Sequence, residues 1–302
     1  IDTEQNPAIR SRLADYPDRK GHARRPLNLV LMGLAAGADY EMLLPLAAVI
    51  EMSENWVLML DDIIDSSSMR RNAPSHHLKY GVENTINDAA MLQSMMWKML
   101  FDYADKARMV LGDSTAKKIV DKVYEIGSLT YEGESADINI LKEAGSIAKI
   151  GYDDYAKMAS LKTAAYTVWG PLQLGAIVAN ASNKMLLNLK DIGATAGLAF
   201  QIYDDIKDLT LSKEKLGKEP YSDILESKPT LIVIRAFELS NSEERTELDR
   251  IYRKGKSEKT QEDIDYVLKI IQKYDCIEFA KNTAHELVTL TLKEFSEFLK
   301  NG

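Results

Sequence analysis

The stretch EMLLPLAAVIEMSENWVLMLDDIID, residues 41–65, predicts one long apolar helix that ends in three aspartates. Its apolar residues follow the helical period and do not alternate as they would in a strand. Asp61 and Asp65 are four positions apart, so they project from one face with Asp62 beside them. Carboxylates this close raise each other's pKa unless a cation neutralises them. Their oxygens suit Mg²⁺, although a solvated acidic helix end has the same pattern.

A second cluster, Asp204-Asp205-Ile206-Lys207-Asp208, repeats this spacing after another apolar helix. Two such matches are expected by chance in only roughly a few per thousand chains of this length. Two aspartate clusters that close two long helices indicate opposing walls of one metal site. The predicted metal ligands are Asp61, Asp62, Asp65, Asp204, Asp205 and Asp208.

Basic residues stand where a polyphosphate would need them. Arg70-Arg71 follow the first aspartate cluster, and guanidinium groups match the geometry of phosphate. Further candidates are Lys162-Thr163, Lys218 and Lys228. Any one of these is more often a plain surface charge. Together with the acidic clusters, on an otherwise apolar bundle, they are better explained by a diphosphate bridged by Mg²⁺.

Helical periodicity runs through almost the whole sequence, and strand signals are nearly absent. A loop is expected at Ser66–Pro74, and Gly170-Pro171 should kink its helix because proline lacks a backbone donor. No repeat or Pro/Gly-rich linker divides the chain, so we predict one all-α domain, residues 1–302, of ten or more helices. After a short helix that follows Asn6-Pro7, the main helices are expected at about 26–38, 41–65, 83–110, 115–141, 152–180, 184–210, 229–239, 243–253, 261–273 and 277–299.

The composition excludes several classes of protein. With 302 residues, 45% of them hydrophobic, the chain is too apolar for a disordered protein. Its net charge of −8 argues against nucleic-acid binding through bulk charge. The lone Cys276 excludes an intramolecular disulfide and fits a reducing, cytoplasmic compartment. No uncharged apolar stretch reaches the roughly 18 residues of a transmembrane helix. An upstream targeting peptide stays open, because the sequence starts at Ile1.

On these motifs the sequence resembles the trans-type isoprenyl diphosphate synthases over nearly its whole length. The family carries two aspartate motifs, the first followed by Arg-Arg, and short motifs between and after them. The matches are Lys162-Thr163 on a kinked helix, Phe200-Gln201 before the second aspartate motif, Gly133-Glu134-Ser135-Ala136-Asp137 for the family's Gly-Gln-x-x-Asp, and Gly217-Lys218, Asp223 and Lys228 downstream. Asn55 and Tyr16-Pro17 are similar to the geranylgeranyl-type members. The resemblance implies a helical bundle around one central cavity.

The resemblance implies Mg²⁺-dependent head-to-tail prenyl transfer from an allylic diphosphate to isopentenyl diphosphate. About three Mg²⁺ ions, with Mn²⁺ as an alternative, would be held by the two aspartate clusters. Arg70, Lys162 and Lys218 would neutralise the allylic diphosphate, and isopentenyl diphosphate would bind at His22, Arg25, Glu54 and Arg71. The expected catalytic residues are Asp61, Asp62, Asp65, Lys162, Thr163, Gln201 and Asp204. A homodimer is expected, with a heteromer as the alternative.

The length of the product is set in this family by bulky residues four or five positions before the first aspartate. Here these positions hold Val57 and Trp56. An indole is large enough to stop a growing chain, so a C20 product is favoured, followed by C15. The alternative is that Trp56 is an ordinary core residue. The methionine-rich stretch Met91–Trp97 is open to the same two interpretations, as plain core or as the lining of an apolar pocket.

Three positions depart from the family pattern. In the first basic box, Gly21–Pro26, His22 replaces a lysine, while Arg25 is kept. Glu54 stands where the family has His or Gln. Glu134, directly after Gly133, replaces the Gln of the family's Gly-Gln-x-x-Asp motif. Imidazole holds an anion less well than ammonium does, and the Glu54 carboxylate should repel isopentenyl diphosphate. We therefore expect Glu54→His to lower the apparent KM for isopentenyl diphosphate.

These departures leave three hypotheses about function. The first is a chain-elongating synthase in which Arg24, Arg25 and Arg71 compensate. The second is a lyase-like terpene synthase, which ionises one allylic diphosphate and needs no acceptor. The third is a non-catalytic partner subunit that binds prenyl diphosphates. The intact aspartate clusters count against the third hypothesis, and the altered acceptor site counts for the second.

Overall fold

The computed structural model describes residues 7–217 and 219–301, and nearly all of these residues are helical, as predicted. The long helices fall where the periodicity places them. In chain order, the helices are α1 (Pro7–Asp18), α2 (Arg24–Ala35), α3 (Tyr40–Ile64), α4 (His76–Tyr80), α5 (Val82–Leu111), α6 (Asp113–Ala144), α7 (Tyr152–Ala159), α8 (Gly170–Val178), α9 (Asn183–Thr210), α10 (Lys213–Leu216), α11 (Ser222–Leu225), α12 (Leu231–Leu239), α13 (Ser242–Tyr252), α14 (Gln261–Lys273) and α15 (Cys276–Asn301). The predicted cap at Asn6 and the phosphate contact at Lys218 lie outside the described residues.

The loop predicted at Ser66–Pro74 contains a short antiparallel hairpin. Strand β1 (Met69–Arg70) pairs with β2 (Ala73–Pro74). Arg71 and Asn72 form the turn, with positive φ angles of 54° and 61°. Such angles suit a two-residue hairpin turn, and asparagine tolerates them better than most residues. Strands of two residues carry no periodicity, which is why the sequence pattern did not predict them.

The predicted interruption at Gly170-Pro171 coincides with a change of helix type. Ser160–Trp169, between α7 and α8, is a π-helical segment, and the α-helical geometry resumes at Gly170. Proline at 171 cannot donate the backbone hydrogen bond that an α-helix requires. The wider π turns, which carry Lys162 and Thr163, therefore end at Trp169, two residues before the proline. Segments of this type are frequent at functional sites.

The described chain forms two compact units, each with its own core. Unit 1 comprises the residues up to 125 together with 170–189 and 213–219, and unit 2 comprises 126–169, 190–212 and the residues from 220 onward. In unit 1, α3 packs against α2 and α5. In unit 2, the buried cluster is built largely by α12, α13 and α14. The single-domain organisation and its central cavity stay predictions.

Helix α3 combines enough length and apolar character to cross a bilayer, and it is the one such helix in the part of the chain described here. Half of its most apolar window is buried inside the protein. Core helices of globular proteins meet the same criteria, so the test is weak evidence. The helix also carries the first aspartate motif.

Candidate active site

The first aspartate motif in unit 1 is held together by Arg70. Its Nη2 lies 2.8 Å from Oδ2 of Asp61 and 2.5 Å from Oδ1 of Asp62. Carboxylates at the C-terminal end of a helix are disfavoured by the helix dipole, and two neighbouring carboxylates also repel each other. A cation here offsets both effects. Burial alone would lower the pKa of Arg70, but the two carboxylates raise it above its usual range. Arg70 thus stays charged beside the motif.

Asp62 is fully buried and also accepts a hydrogen bond from the hydroxyl of Tyr16 on α1. The Tyr16 hydroxyl in turn accepts from the backbone nitrogen of His76 over 3.0 Å. Burial and the charge of Asp62 raise the pKa of Tyr16, so the phenol remains protonated. Asp61 is more accessible, with a side-chain exposure of 19%. The motif therefore has an inner carboxylate that is enclosed by protein and an outer one that solvent reaches.

Three of the four residues predicted to bind isopentenyl diphosphate, Arg25, Glu54 and Arg71, come together in unit 1. Glu54 Oε1 lies 2.9 Å from Nη1 of Arg25 and 3.6 Å from Nη2 of Arg71. Arg71 Nη1 also donates to the backbone oxygen of Tyr16 over 2.8 Å. His22 is exposed in the loop before α2. The carboxylate predicted to repel an anion is therefore paired with the arginines predicted to attract it.

A glycine lets Arg71 take this position. A β-carbon at Gly21 would lie 2.5 Å from Arg71 Nη2, so a larger residue would displace the guanidinium. Arg71 Nη1 reaches Asn55 Oδ1 at 3.2 Å as well. The positive φ of Arg71 is unusual for a residue with a side chain, and these contacts hold it there.

In unit 2, the ammonium of Lys162 lies between two carboxylates of α6. Its Nζ is 2.9 Å from Oε2 of Glu134 and 2.6 Å from Oδ2 of Asp137. The π segment can approach α6 this closely because residue 133 is a glycine, where a β-carbon would lie 2.2 Å from the backbone nitrogen of Lys162. Glu134, the unexplained departure from the family motif, is thus a partner of the predicted phosphate-binding lysine.

A hydrogen-bonded chain in unit 2 links two predicted catalytic residues, Thr163 and Gln201, to the predicted metal ligand Asp205. Thr163 Oγ1 donates to Gln201 Oε1, and Gln201 Nε2 donates to Asp205 Oδ1 over 2.8 Å. Tyr155 on α7 donates its hydroxyl to Asp205 Oδ2 over 2.6 Å. Burial raises the pKa of Asp205 to about 7, although the hydrogen bonds from Tyr155 and Gln201 lower it. No guanidinium is bonded to Asp205 in the described structure, whereas Asp62 has Arg70.

The other two aspartates of the second motif differ sharply in exposure. The Asp204 side chain is 53% exposed and contacts Lys207 Nζ at 3.0 Å. Asp208 is buried and accepts from Ser222 Oγ over 2.6 Å and from the backbone nitrogen of Asp223 over 3.1 Å. Asp208 therefore caps α11 and fixes its N-terminus.

The two residues proposed to limit chain length lie in different surroundings. Trp56 is buried in a cluster with residues of α1 and α5, including Tyr16 and Leu92. Val57 is only partly buried, and it stands four positions before Asp61 on the same helix face. Part of the methionine-rich stretch packs against the same cluster. Whether either residue stops a growing chain stays a prediction.

The comparisons with known proteins agree with this geometry. A family model described as polyprenyl synthetase matches residues 6–271. The chain belongs to the polyprenyl synthetase family. The family assignment confirms the all-α class and the prenyltransferase class that the motifs predicted.

Relatives of this polyprenyl synthetase have related names. It is 30% identical over 267 residues to the geranylgeranyl diphosphate synthase of Methanosarcina mazei, covering 88% of this chain and 76% of that one. It is 31% identical over 287 residues to the short chain isoprenyl diphosphate synthase of Methanothermobacter thermautotrophicus, covering 93% and 82%. The solved geranylgeranyl pyrophosphate synthetase of Pyrococcus horikoshii matches with a TM-score of 0.80 and 26% identity, covering 97% and 85%.

Some solved relatives of the polyprenyl synthetase carry ligands. The geranylgeranyl pyrophosphate synthase of Corynebacterium glutamicum is complexed with isoprenyl diphosphate and magnesium, and it matches with a TM-score of 0.83 and 24% identity, covering 97% of this chain and 88% of that one. At this level of identity the match shows the common fold alone.

Sequence reasoning missed two features of the polyprenyl synthetase site. Nothing in the sequence marks Tyr155 beyond its being an aromatic residue on a helix. Tyr16 is marked only by the similarity of Tyr16-Pro17 to the geranylgeranyl-type members of the family. Each tyrosine hydrogen-bonds the second aspartate of a motif. The two Asp-Asp pairs were the available signal, because a buried second carboxylate always needs a donor.

Proposed function

We propose that this polyprenyl synthetase condenses an allylic prenyl diphosphate with isopentenyl diphosphate, forming a short-chain prenyl diphosphate. One observation carries the proposal. In both aspartate motifs the first carboxylate is accessible and the second is enclosed, with Asp61 against Asp62 in unit 1 and Asp204 against Asp205 in unit 2. An outer carboxylate backed by a fixed inner one suits the binding of a cation and a diphosphate.

The carboxylates fit Mg²⁺ as a partner bound together with substrate. Mg²⁺ is commonly held by one or two carboxylates, water and substrate phosphates. Among residues 7–217 and 219–301, no three Asp, Glu, His or Cys side chains already converge on one point. The foremost candidate ligands are Asp61, Asp65 and Asp204, none of which is buried. Asp62, Asp205 and Asp208, which are buried, would chiefly fix the conformation of the two motifs. We propose about three Mg²⁺ ions, with Mn²⁺ as an alternative.

The chain's own residues would divide the work of the reaction. The divalent ions, when bound, supply Lewis-acid help to the departing diphosphate. Arg70, Lys162 and Lys218 would neutralise the allylic diphosphate as its C1–O bond breaks and the electron pair leaves with it. Thr163 and Gln201 would present oxygen dipoles to the allylic cation. The double bond of isopentenyl diphosphate then forms the new C–C bond, and the departing diphosphate would take the proton that is lost.

A product of C20, followed by C15, is the favoured outcome. Val57 lies one helical turn before Asp61, where a growing chain would extend away from the motif. Relatives named geranylgeranyl diphosphate synthase support C20. Others are named geranylfarnesyl diphosphate synthase, so the length must be measured.

The alternatives find less support. Relatives named as diphosphate synthases do not favour a lyase that uses one substrate, and the intact motifs do not favour a non-catalytic subunit. Incubation with Mg²⁺, labelled isopentenyl diphosphate and each allylic primer in turn tests all three hypotheses by product chromatography. Longer diphosphates are expected. Hydrocarbon or alcohol from the primer alone would support the lyase, and no turnover with any primer would leave the binding subunit.

A homodimer in the cytoplasm completes the proposal, with a heteromer as the alternative. Helix α5 exposes large apolar side chains, with Phe101 at 54% and Val110 at 60%. Exposed apolar residues along one helix suit a subunit interface. Light scattering on the purified chain is expected to give twice the mass of 33.9 kDa.

A further inference from the structure

Glu54 stands between the two arginines that the proposed function assigns to the acceptor diphosphate. Its carboxylate is 2.9 Å from Arg25 and 3.6 Å from Arg71, and only 12% of the Glu54 side chain is exposed. An ion pair this enclosed is screened little by solvent. The Arg25 contact is at the distance of a charge-assisted hydrogen bond, whereas the Arg71 contact, at 3.6 Å, is a longer ion pair. An incoming diphosphate must therefore exchange with a carboxylate that already occupies the arginines.

A second acidic side chain, Glu51, interacts with the same three groups. Glu51 lies one turn before Glu54 on α3, where it is partly buried. Burial and the charge of Glu54 raise the pKa of Glu51, while Arg71 and Arg25 lower it, so all four groups act on one another. With both carboxylates ionised, the cluster of two acids and two arginines has no net charge.

The cluster is also fixed in place. Arg71 is held by the backbone oxygen of Tyr16 and by Asn55, and it lies against Gly21. Glu51 and Glu54 are three positions apart on α3, and like charges at this spacing repel, so displacing Glu54 from the arginines leaves that repulsion without its counter-charge. Exchange therefore costs the ion pairs and leaves this repulsion unbalanced.

We propose that Glu54, supported by Glu51, acts as an internal competitor for the acceptor diphosphate and sets the affinity of this polyprenyl synthetase for isopentenyl diphosphate. This inference rests on the proposed function, because that function places the acceptor at Arg25 and Arg71. It differs from simple repulsion at a distance. Arg71 is held by Tyr16 and Asn55 as well as by Glu54, so neutralising Glu54 leaves this guanidinium in its binding position, which lowers the cost of binding.

The test measures binding without turnover. Inorganic diphosphate and isopentenyl diphosphate are titrated into the full chain by calorimetry in EDTA, which prevents binding through divalent ions. Glu54→Gln keeps the shape and an oxygen acceptor for Arg25 while removing the charge. The Kd for both ligands is expected to tighten by about tenfold or more, since charge-assisted contacts no longer have to be broken. Glu51→Gln should tighten binding by a smaller factor.

Glu41→Gln is the matched control, because Glu41 is exposed in the first turn of the same helix. It should leave both Kd values unchanged. A thermal scan adds a readout of the free protein. Glu54→Gln should lower Tm without ligand, because two enclosed guanidinium groups lose their counter-charge, and diphosphate should raise Tm more than in the unmodified chain.

The outcomes separate the inference from the proposed function. Unchanged diphosphate affinity in Glu54→Gln, in a chain that makes prenyl diphosphates, overturns the competitor and leaves the function standing. Tighter binding in Glu54→Gln, in a chain that makes no product from any primer, supports the competitor and overturns the function. Equal tightening in Glu41→Gln also overturns the inference, because bulk charge then explains the effect.

Discussion

Tyr155 donates its hydroxyl to Oδ2 of Asp205 over 2.6 Å, and both side chains are buried. The same relationship recurs in the other aspartate motif, where Tyr16 donates to Asp62. The electrostatics of the two pairs differ, since Arg70 neutralises Asp62 whereas Asp205 relies on neutral donors. Similar sequence motifs are thus stabilised in different ways.

Removing the Tyr155 hydroxyl should destabilise the protein. In Tyr155→Phe the buried Asp205 keeps only the bond from Gln201, so the free energy of unfolding should fall by about 1–3 kcal/mol. Urea denaturation measures the change. Tyr152→Phe is the control, because Tyr152 is 40% exposed on the same helix. Equal stabilities for the two variants would show that the Tyr155–Asp205 bond contributes nothing.

Gly133 should be irreplaceable and Gly127 replaceable, although both are glycines of α6. A β-carbon at Gly133 would lie 2.2 Å from the Lys162 nitrogen, whereas one at Gly127 has nothing within 4 Å. Gly133→Ala should therefore separate α6 from the π segment, with a loss of stability and of kcat. Gly127→Ala should be more stable by about 0.5–1 kcal/mol, because alanine favours the helix. Thermal scans and initial rates distinguish them, and an active, stable Gly133→Ala would contradict the close approach.

Glu134→Gln should strengthen binding of the allylic substrate. Lys162 is paired with two carboxylates, and neutralising Glu134 removes one of these charges while the pairing with Asp137 remains. The local charge becomes less negative, so the KM for the allylic diphosphate should fall several-fold. Glu132→Gln, an exposed neighbour on α6, should have no effect. A KM that rises in Glu134→Gln would mean that Glu134 holds Lys162 in its working position.

The second motif should separate metal binding from stability. Asp204 is largely exposed, so Asp204→Asn should raise the Mg²⁺ concentration for half-maximal activity by about tenfold or more without lowering Tm. Asp208 caps α11, so Asp208→Asn should lower the stability by about 1–2 kcal/mol. Activity titrated with Mg²⁺ and a thermal scan measure the two effects. Unaltered Mg²⁺ dependence in Asp204→Asn would remove that residue from the proposed ligands.

His76 should make the protein less stable in mild acid. The imidazole is buried, and burial lowers its pKa. Below about pH 6.5 the unfolded chain then binds a proton more readily than the folded chain. Stability is lost as the pH falls, by at most about 1.4 kcal/mol per pH unit. Urea denaturation from pH 8 to 5 should show a smaller slope for His76→Gln, while His285→Gln, at an exposed position, should keep the original slope.

The sequence predicted the long helices well and the short elements poorly. Helix α3 begins and ends within one residue of the predicted span. Its apolar residues follow the helical period over 25 residues, and the tertiary contacts stabilise the same helix. The hairpin at Met69–Pro74 and the five-residue α4 have no such repeat. Their backbone is set by contacts with distant residues, as Asn72 shows by donating to the oxygen of Gly217.

The candidate site divides in the same way. The residue types and spacings identified both aspartate motifs and most of the cations, because the chemistry of a diphosphate demands them. The partners of Glu54 and Glu134 could not be read from spacing. Glu54 is separated from Arg25 by 29 positions of sequence, so only folding brings the two charges together.

The sequence by itself determined the all-α class, the polyprenyl synthetase motifs and the positions at which they depart from the family, because periodicity and motif spacing are local properties of the chain. The tertiary structure decided which aspartates are enclosed, which tyrosines hold them, and that Glu54 pairs with the arginines rather than facing solvent. Burial and pairing depend on residues far apart in sequence, and a carboxylate's effect is set by the charges that surround it once the chain is folded.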